Sequence, residues 1–222
     1  MTLQSPTNEA IEIDSQDLFR TEATSIEPFQ LDEEQSHRAA VYSLLAALLR
    51  QSPSQELLAH LSSLPEQGKT EEDDLLISMS MLGLSAGMHT PESIEEEYHD
   101  LFIGLGKGEV VPYASWYLTG FLMEKPLSEL RDDLVRLGFE RNSETTEPED
   151  HAAALFEVFS LLITDGSELE VQNQFFQSHI NNWIESFFND LSEAQSAVFY
   201  KAVGRFGKAF IAFEKQYFSM QS

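Results

Sequence analysis

Apolar residues recur at intervals of three and four along the chain from residue 32 onward, with polar residues between them. This spacing places the apolar side chains on one face of an α-helix. The clearest stripe lies near the end of the chain and consists of Phe199, Val203, Phe206, Phe210, Phe213 and Tyr217. Two further stripes contain Val41, Leu44, Leu45, Leu48 and Leu49, and Leu155, Val158, Phe159 and Leu162. We expect all three stripes to lie in a hydrophobic core.

The same periodicity, with proline near helix starts and glycine after helix ends, predicts about nine or ten helices. They cover approximately residues 32–50, 53–63, 71–87, 91–103, 113–123, 127–138, 147–164, 168–180, 181–190 and 193–218. Strand patterns are weak, because no long window alternates apolar and polar residues and no Asn-Gly or Asp-Gly turn joins two such windows. The predicted fold class is therefore all-α, a single helical bundle.

Composition divides the chain into a tail and one domain. Residues 1–30 are acidic, rich in Ser and Thr, and lack a sustained period, which is typical of a weakly ordered tail. Residues 31–222 form the predicted helical domain. Within it, residues 140–147 are the one strongly polar break and are interpreted as a loop or a hinge. A hinge there permits exchange of identical halves between two chains, so a monomer or a domain-swapped homodimer is expected.

Charge and composition exclude several functional classes. The formal net charge is -25, so nucleic acids and anionic membrane surfaces are repelled and a basic partner is attracted. The chain has no cysteine, which excludes disulfides, thiolate metal sites and a cysteine nucleophile. No apolar run approaches the roughly 18 residues of a membrane span, and the first residues lack the pattern of a secretory signal. We therefore expect a cytoplasmic protein without stable membrane insertion.

Two alternative functions rest on short motifs. Residues 83–87 match the Gly-x-Ser-x-Gly pattern of serine hydrolases, with Ser85 as nucleophile and Asp150 and His151 as partners. That pattern requires a strand before the serine, which the sequence does not predict. Residues 34–37 and 96–99 match the Glu-x-x-His spacing of metal-binding helical bundles, although such spacing arises readily by chance in a Glu-rich chain. No metal and no cofactor are predicted.

The most specific features are two separated sequence blocks. Residues 96–120 read EEYHDLFIGLGKGEVVPYASWYLTG, with a glycine-spaced turn followed by an aromatic helix start. About 30 residues later, residues 147–151 read Glu-Pro-Glu-Asp-His. Both blocks resemble the TorD/DmsD family, the cytoplasmic chaperones of molybdenum-containing redox enzymes, and the similarity spans roughly residues 36–218. The resemblance implies an all-α bundle that is not an enzyme.

The resemblance further implies binding of the twin-arginine signal peptide of an unassembled enzyme precursor, which is retained from export until its cofactor is inserted. Such a peptide has a basic region followed by an apolar one, so carboxylates and an aromatic groove suit it. The site implied by the two blocks consists of Pro112, Tyr113, Trp116, Tyr117, Pro148, Glu149, Asp150 and His151. The residues expected to support it structurally are Tyr98, Leu101, Phe102, Gly104 and Gly106.

Each part of the implied site has an expected role. Asp150, together with Glu149, is expected to face the arginine pair, and the aromatic residues after Pro112 are expected to line the apolar part. His151 either bonds the peptide backbone or fixes the shape of the groove. The chain departs from the family pattern at Leu105, where proline is usual, and at Thr119, where glutamate is common. These departures affect the choice of client enzyme more than the fold.

Overall fold

The computed structural model describes residues 19–21, 31–63, 74–104, 108–141 and 147–221. Within these ranges the chain forms ten α-helices: α1 (Glu33–Arg50), α2 (Gln55–Ser62), α3 (Asp74–Met88), α4 (Pro91–Tyr98), α5 (Ala114–Thr119), α6 (Lys125–Arg136), α7 (Ala152–Thr164), α8 (Leu169–Phe175), α9 (Ile184–Glu193) and α10 (Phe199–Met220). Helices α4 and α8 each continue as a π-helical turn, His99–Ile103 and Phe176–Ile180. The predicted all-α class is confirmed.

Several predicted helix boundaries are wrong, including both ends of α9, which spans Ile184–Glu193 rather than residues 181–190. Helix α5 ends at Thr119 rather than near residue 123, because Gly120 adopts a left-handed conformation with φ of 82°. Helix α7 begins at Ala152 rather than at residue 147, since residues 147–151 form a turn. Helix α10 begins at Phe199 rather than near residue 193, after α9 has ended at Glu193. The later start of α7 places the second sequence block, residues 147–151, in a loop instead of a helix.

A short β-ribbon adds to the helices. Strand β1 (Phe19–Thr21) pairs antiparallel with β2 (Phe139–Arg141). The predicted tail therefore contributes backbone hydrogen bonds through these residues, while the rest of residues 1–30 lies outside the described part of the chain. Most of the predicted hinge, residues 142–146, also lies outside it.

The core forms where α7 packs against α1 and where α10 packs against α9 and α3. Helix α7 is buried along nearly its whole length, and the ring of Tyr42 on α1 lies 4.5 Å from that of Phe159. Glycines permit the close α9–α10 approach, because a Cβ at Gly207 would lie 2.2 Å from the ring of Phe188. Most stripe residues are buried as predicted, but Phe213 is 36% exposed.

A charged network lies inside this core. The guanidinium of Arg38 donates to both carboxylate oxygens of Glu214 at 2.7 Å, and the hydroxyl of Tyr42 donates to the same carboxylate at 2.9 Å. Gln35 and Gln172 accept hydrogen bonds from Nη1 of Arg38. Buried ions need such partners, because their desolvation is costly. The network fixes α1 against α10.

The structure contradicts one alternative function, and the described residues give no support to the other. Ser85 lies inside α3 rather than on a strand-to-helix turn, so the serine hydrolase interpretation is wrong. Within the described ranges, no group of three His, Asp or Glu side chains could hold a metal ion. Across the same ranges, none of the helices combines the length and apolarity that crossing a membrane requires.

Candidate functional site

Backbone pairing joins the two sequence blocks into one site. The N–H of Ala114 donates to the carbonyl of Asp150 at 3.0 Å, and the N–H of Ala152 donates to the carbonyl of Pro112 at 2.8 Å. These two bonds form an antiparallel bridge between Tyr113 and His151. The bridge sets the starts of α5 and α7 side by side, although they are far apart in the sequence.

Asp150 is buried and caps the start of α5. Its Oδ2 accepts hydrogen bonds from the backbone N–H of Ser115 at 2.8 Å and from the Ser115 hydroxyl. The first N–H groups of a helix have no partner within the helix, so a carboxylate there satisfies one of them. Its negative charge also interacts favourably with the positive end of the helix dipole. The other oxygen, Oδ1, is buried without a hydrogen-bond partner among the described residues. Asp150 is only 1% exposed, so it faces the protein in this conformation.

His151 caps the start of α7 in its neutral form. Its Nδ1 accepts the N–H of Ala153 at 3.1 Å, which assigns the ring proton to Nε2. Burial, followed by the positive charge of Arg50, lowers the pKa of His151 to about 3. Its Nε2 lies 3.7 Å from a carboxylate oxygen of Glu147. These contacts place the neutral His151 ring between the start of α7 and the Glu147 carboxylate.

The outer edge of the site is formed by Tyr113 and Glu147. The Tyr113 hydroxyl donates to Glu147 at 3.1 Å, and the Tyr113 ring packs edge-on against His151 with 5.0 Å between ring centroids. Burial, then the charge of Glu147, raises the pKa of Tyr113. The Glu147 side chain is 53% exposed, so its charge is accessible to a ligand.

Glu149 is directed away from this edge. Its Oε2 accepts hydrogen bonds from Nε and Nη2 of Arg131 on α6, at 3.0 and 2.8 Å. The Glu149 side chain is 5% exposed, whereas that of Arg131 is 48% exposed. The pair fixes α6 beside the second block. Neighbouring Pro148 is half-buried.

The aromatic residues of α5 lie on one side of the helix start. Pro112 is buried, while Trp116 and Tyr117 are half-buried. The Tyr117 hydroxyl donates to Asp190 on α9 at 2.8 Å, and its ring lies 5.5 Å from that of Trp183. Burial, together with the bond to Asp190, raises the pKa of Tyr117. The structure therefore brings these residues together with Tyr113, each partly accessible except Pro112.

The residues expected to support the site have structural contacts. The Tyr98 hydroxyl donates to the carbonyl of Arg50 at 2.8 Å, at the end of α1. Leu101 is fully buried, and the Phe102 ring lies 4.9 Å from that of Tyr98. Gly104 ends the π-helical turn with φ of 55°. Gly106, like Leu105, lies outside the described residues.

Sequence reasoning did not assign Glu97 or Glu147 to the site. Glu97 is 8% exposed, and its carboxylate accepts the N–H groups of Val198, Phe199 and Tyr200 at the start of α10. Glu97 begins the run of residues that resembles the family, but the sequence does not indicate that its carboxylate caps α10. Glu147 stands four residues before His151 within the second block. Its place in that block was the sequence signal by which it could have been assigned to the site.

The chain is similar to known proteins over most of its length. Residues 69–189, which contain both blocks, match the family described as "Nitrate reductase delta subunit". "Chaperone protein TorD" of Vibrio atlanticus (strain LGP32) is 27% identical, over 81% of this chain and 94% of its own length. The protein of the same description from Aliivibrio salmonicida (strain LFI1238) is 26% identical, over 85% of this chain and 97% of its own length.

Similarity of fold extends to a solved structure. A protein from Archaeoglobus fulgidus, described as a "Putative Redox Enzyme Maturation Protein", superposes with a TM-score of 0.55, covering 86% of this chain and 99% of that protein. Its sequence identity is 18%, so it supports the fold alone. The family match covers more than half of this chain and includes both sequence blocks. The chain therefore belongs to the nitrate reductase delta subunit family, and the resemblance to its TorD/DmsD chaperones is confirmed.

Proposed function

We propose that this protein is a chaperone for the precursor of a molybdenum-containing redox enzyme and binds the precursor's twin-arginine signal peptide. By this binding it delays export until the cofactor has been inserted. Family membership and the TorD relatives support the general role. The observation that carries the proposed binding site is the bridge between Tyr113 and His151, which joins the two blocks beside an accessible carboxylate.

The acidic part of the site has two candidates for the arginine pair. The Glu147 side chain is 53% exposed, and its carboxylate accepts the hydroxyl of Tyr113 at the edge of the site. Asp150 is buried, but its Oδ1 lacks a hydrogen-bond partner among the described residues and has acceptor capacity left. We propose that the arginine pair contacts Glu147 first. It contacts Asp150 only in a second conformation, in which Tyr113 has moved aside. A charge-assisted bond of this type contributes about 1.5–3 kcal/mol.

The apolar part of the site is assigned to the aromatic face of α5. Tyr113, Trp116 and Tyr117 are half-buried, so their rings can contact a ligand without unfolding the helix. Aromatic side chains provide large contact areas at small cost in side-chain entropy. The net charge of -25 also favours approach of a basic peptide at low ionic strength.

Binding of labelled peptides to the full-length chain, measured by fluorescence anisotropy, tests this function. The probe is a twin-arginine leader peptide from a molybdenum enzyme of the host. It is compared with the same peptide in which two glutamines replace the arginine pair. We expect the arginine peptide to bind at least about ten-fold more tightly, with affinity falling as salt rises. Equal affinity for both peptides, across all leaders of the host's molybdenum enzymes, contradicts the proposal.

Matched variants test the assignment of Glu147. Glu147→Gln removes the accessible charge while preserving side-chain shape. We expect it to lower the affinity for the arginine peptide by about ten-fold. Glu170→Gln removes an exposed carboxylate on α8 and is the control, for which unchanged affinity is expected. If both variants reduce affinity equally, the effect reflects net charge rather than a site at Glu147.

Oligomeric state belongs to the same proposal. We propose a monomer that is able to exchange halves through residues 140–147 to form a domain-swapped homodimer. Light scattering coupled to size exclusion, over a range of protein concentrations, tests this. A single monomer species at every concentration, even after refolding at high concentration, contradicts the swap.

A further inference from the structure

An exposed apolar patch lies at the other end of α5 from the acidic carboxylate. It consists of Leu118, Phe121, Leu122 and Met123, which are 42%, 69%, 48% and 71% exposed. Large apolar side chains clustered this closely on a surface mark sites of interaction, whereas single exposed ones are ordinary. Leu118 lies near the end of the first sequence block, whereas Phe121, Leu122 and Met123 follow that block and belong to neither.

The backbone around the patch is held in a defined shape. The Thr119 hydroxyl donates to the carbonyl of Ser115 at 2.8 Å and accepts the N–H of Phe121 at 3.2 Å. Gly120 adopts φ of 82°, and Met123 adopts φ of 59°, a left-handed conformation that costs energy for a residue with a side chain. A strained loop that turns apolar side chains toward solvent favours a binding role over simple connection.

Helix α5 connects this patch to the acidic end of the site. Tyr113, just before α5, contacts Glu147, and the patch begins at the last turn of the helix. The helix has 6 residues, which corresponds to about 9 Å at about 1.5 Å per residue. An extended peptide covers that distance with roughly three residues. The Tyr113–Glu147 contact and the apolar patch are therefore separated by about the length of α5.

We infer that the patch binds the apolar segment of the client's signal peptide, with the peptide lying along α5 and its arginine pair toward Glu147. This inference rests on the proposed function and adds the direction of the peptide and a second contact surface. The apolar residues that follow the arginine pair by about three positions then reach Phe121 and Met123. Methionine and phenylalanine suit sequences that differ between clients, since methionine adapts its shape.

Charge selects this occupant over two others. A second copy of the chain carries the same net charge of -25 and is repelled at long range. An anionic membrane surface is repelled for the same reason. A leader peptide instead joins an apolar segment to a basic one, and so complements both the patch and the carboxylate beside Tyr113.

The test uses the full-length chain carrying Phe121→Ser and Met123→Asn together. Asparagine tolerates the left-handed conformation, so the loop is expected to keep its shape. The control chain carries Met88→Ser and Val198→Ser, which remove side chains that are 82% and 62% exposed on α3 and just before α10. Circular dichroism and thermal unfolding verify that both variants remain folded.

Two labelled peptides are compared by fluorescence anisotropy: the twin-arginine leader, and the same leader with its apolar segment replaced by Ser and Asn. We expect the patch variant to bind the natural leader at least about ten-fold more weakly than wild type, since burial of a phenylalanine ring is lost. The replaced leader should bind the patch variant and wild type equally, and the control variant should match wild type for both peptides.

The outcomes separate this inference from the proposed function. If wild type binds the natural leader in an arginine-dependent manner and the patch variant binds it equally well, the inference is wrong and the proposed function stands. If the patch and control variants lose the same affinity, the effect is one of general surface polarity and the inference is also wrong. If wild type does not bind the leader, both fail.

Discussion

Replacement of Asp150 by alanine is the most direct test of how the site is held together. In the native structure the Asp150 carboxylate accepts both the backbone N–H and the hydroxyl of Ser115, which is fully buried. Asp150→Ala removes that acceptor and leaves two buried donors on Ser115 unsatisfied. The start of α5 then loses its cap, and the bridge that aligns Tyr113 with His151 is weakened.

The expected loss follows from those two contacts. A buried donor left without a partner costs about 1–3 kcal/mol, and a hydroxyl is able to reorient, so we expect Asp150→Ala to lower the free energy of unfolding by about 2–4 kcal/mol. For a chain of this length each kcal/mol shifts the melting temperature by about 2–4 °C. Because typical domains are stable by about 5–15 kcal/mol, the variant should remain folded at 25 °C.

Urea unfolding followed by circular dichroism measures this difference, with Asp150→Asn as the matched variant. The amide oxygen of asparagine still accepts from Ser115, and its NH2 replaces an Oδ1 atom that already lacks a partner among the described residues. We expect Asp150→Asn to lie within about 1 kcal/mol of wild type. If Asp150→Ala and Asp150→Asn lower the free energy of unfolding by the same amount, hydrogen bonding to Ser115 is not what stabilises the site. Asp150→Asn is also the better variant for peptide binding, since it removes charge without loosening α5.

Three further predictions concern the core and the dependence on pH. Arg38→Met leaves the buried Glu214 carboxylate without its ion partner and should lower stability to urea by about 3–5 kcal/mol. Gly207→Ala places a methyl group against the Phe188 ring and should lower the melting temperature, consistent with a cost of about 1–3 kcal/mol. The pKa of His151 is about 3 in the folded chain, below its unfolded value of about 6.5, so its contribution to stability is present above pH 6.5 and is lost as pH falls toward 3. His151→Asn should reduce that loss, by up to about 1.4 kcal/mol per pH unit, in urea titrations at several pH values.

Each of these predictions has a result that contradicts it. The Arg38–Glu214 interpretation fails if the single substitution costs no more than a double substitution of both residues by apolar side chains. If Gly207→Ala has the same melting temperature as wild type, the close approach of α9 and α10 does not require a glycine at this position. Identical slopes of stability against pH for wild type and His151→Asn mean that the histidine is not held neutral.

Helix existence was predictable from the sequence because burial repeats with the helical period. The stripe from Phe199 to Tyr217 was correct apart from Phe213, which is partly exposed, since a stripe does not state where neighbouring helices end. Helix ends were less predictable, because they depend on partners distant in sequence. The start of α10 illustrates this, as it is capped by the carboxylate of Glu97.

For the site, as for the helices, the residues involved were predictable from the sequence but their contacts were not. The sequence predicted that the two blocks form one binding site, and the structure brings them together through the bridge between Tyr113 and His151. Their individual roles were not predictable, because burial decides which carboxylate is accessible. Glu149 and Asp150, both expected at the arginine pair, are buried and accept hydrogen bonds from Arg131 and Ser115. The Glu147 side chain is 53% exposed and accepts the hydroxyl of Tyr113.

By itself, the sequence determined the all-α class, the acidic charge and the two blocks that mark the family, because these follow from local periodicity and residue type. Only the tertiary structure decided which side chains cap helices, which charge faces solvent, and that an apolar patch at Phe121 lies along α5 from Glu147. Those properties depend on contacts between residues remote in the chain. Burial and hydrogen-bond partners exist only once the helices have packed.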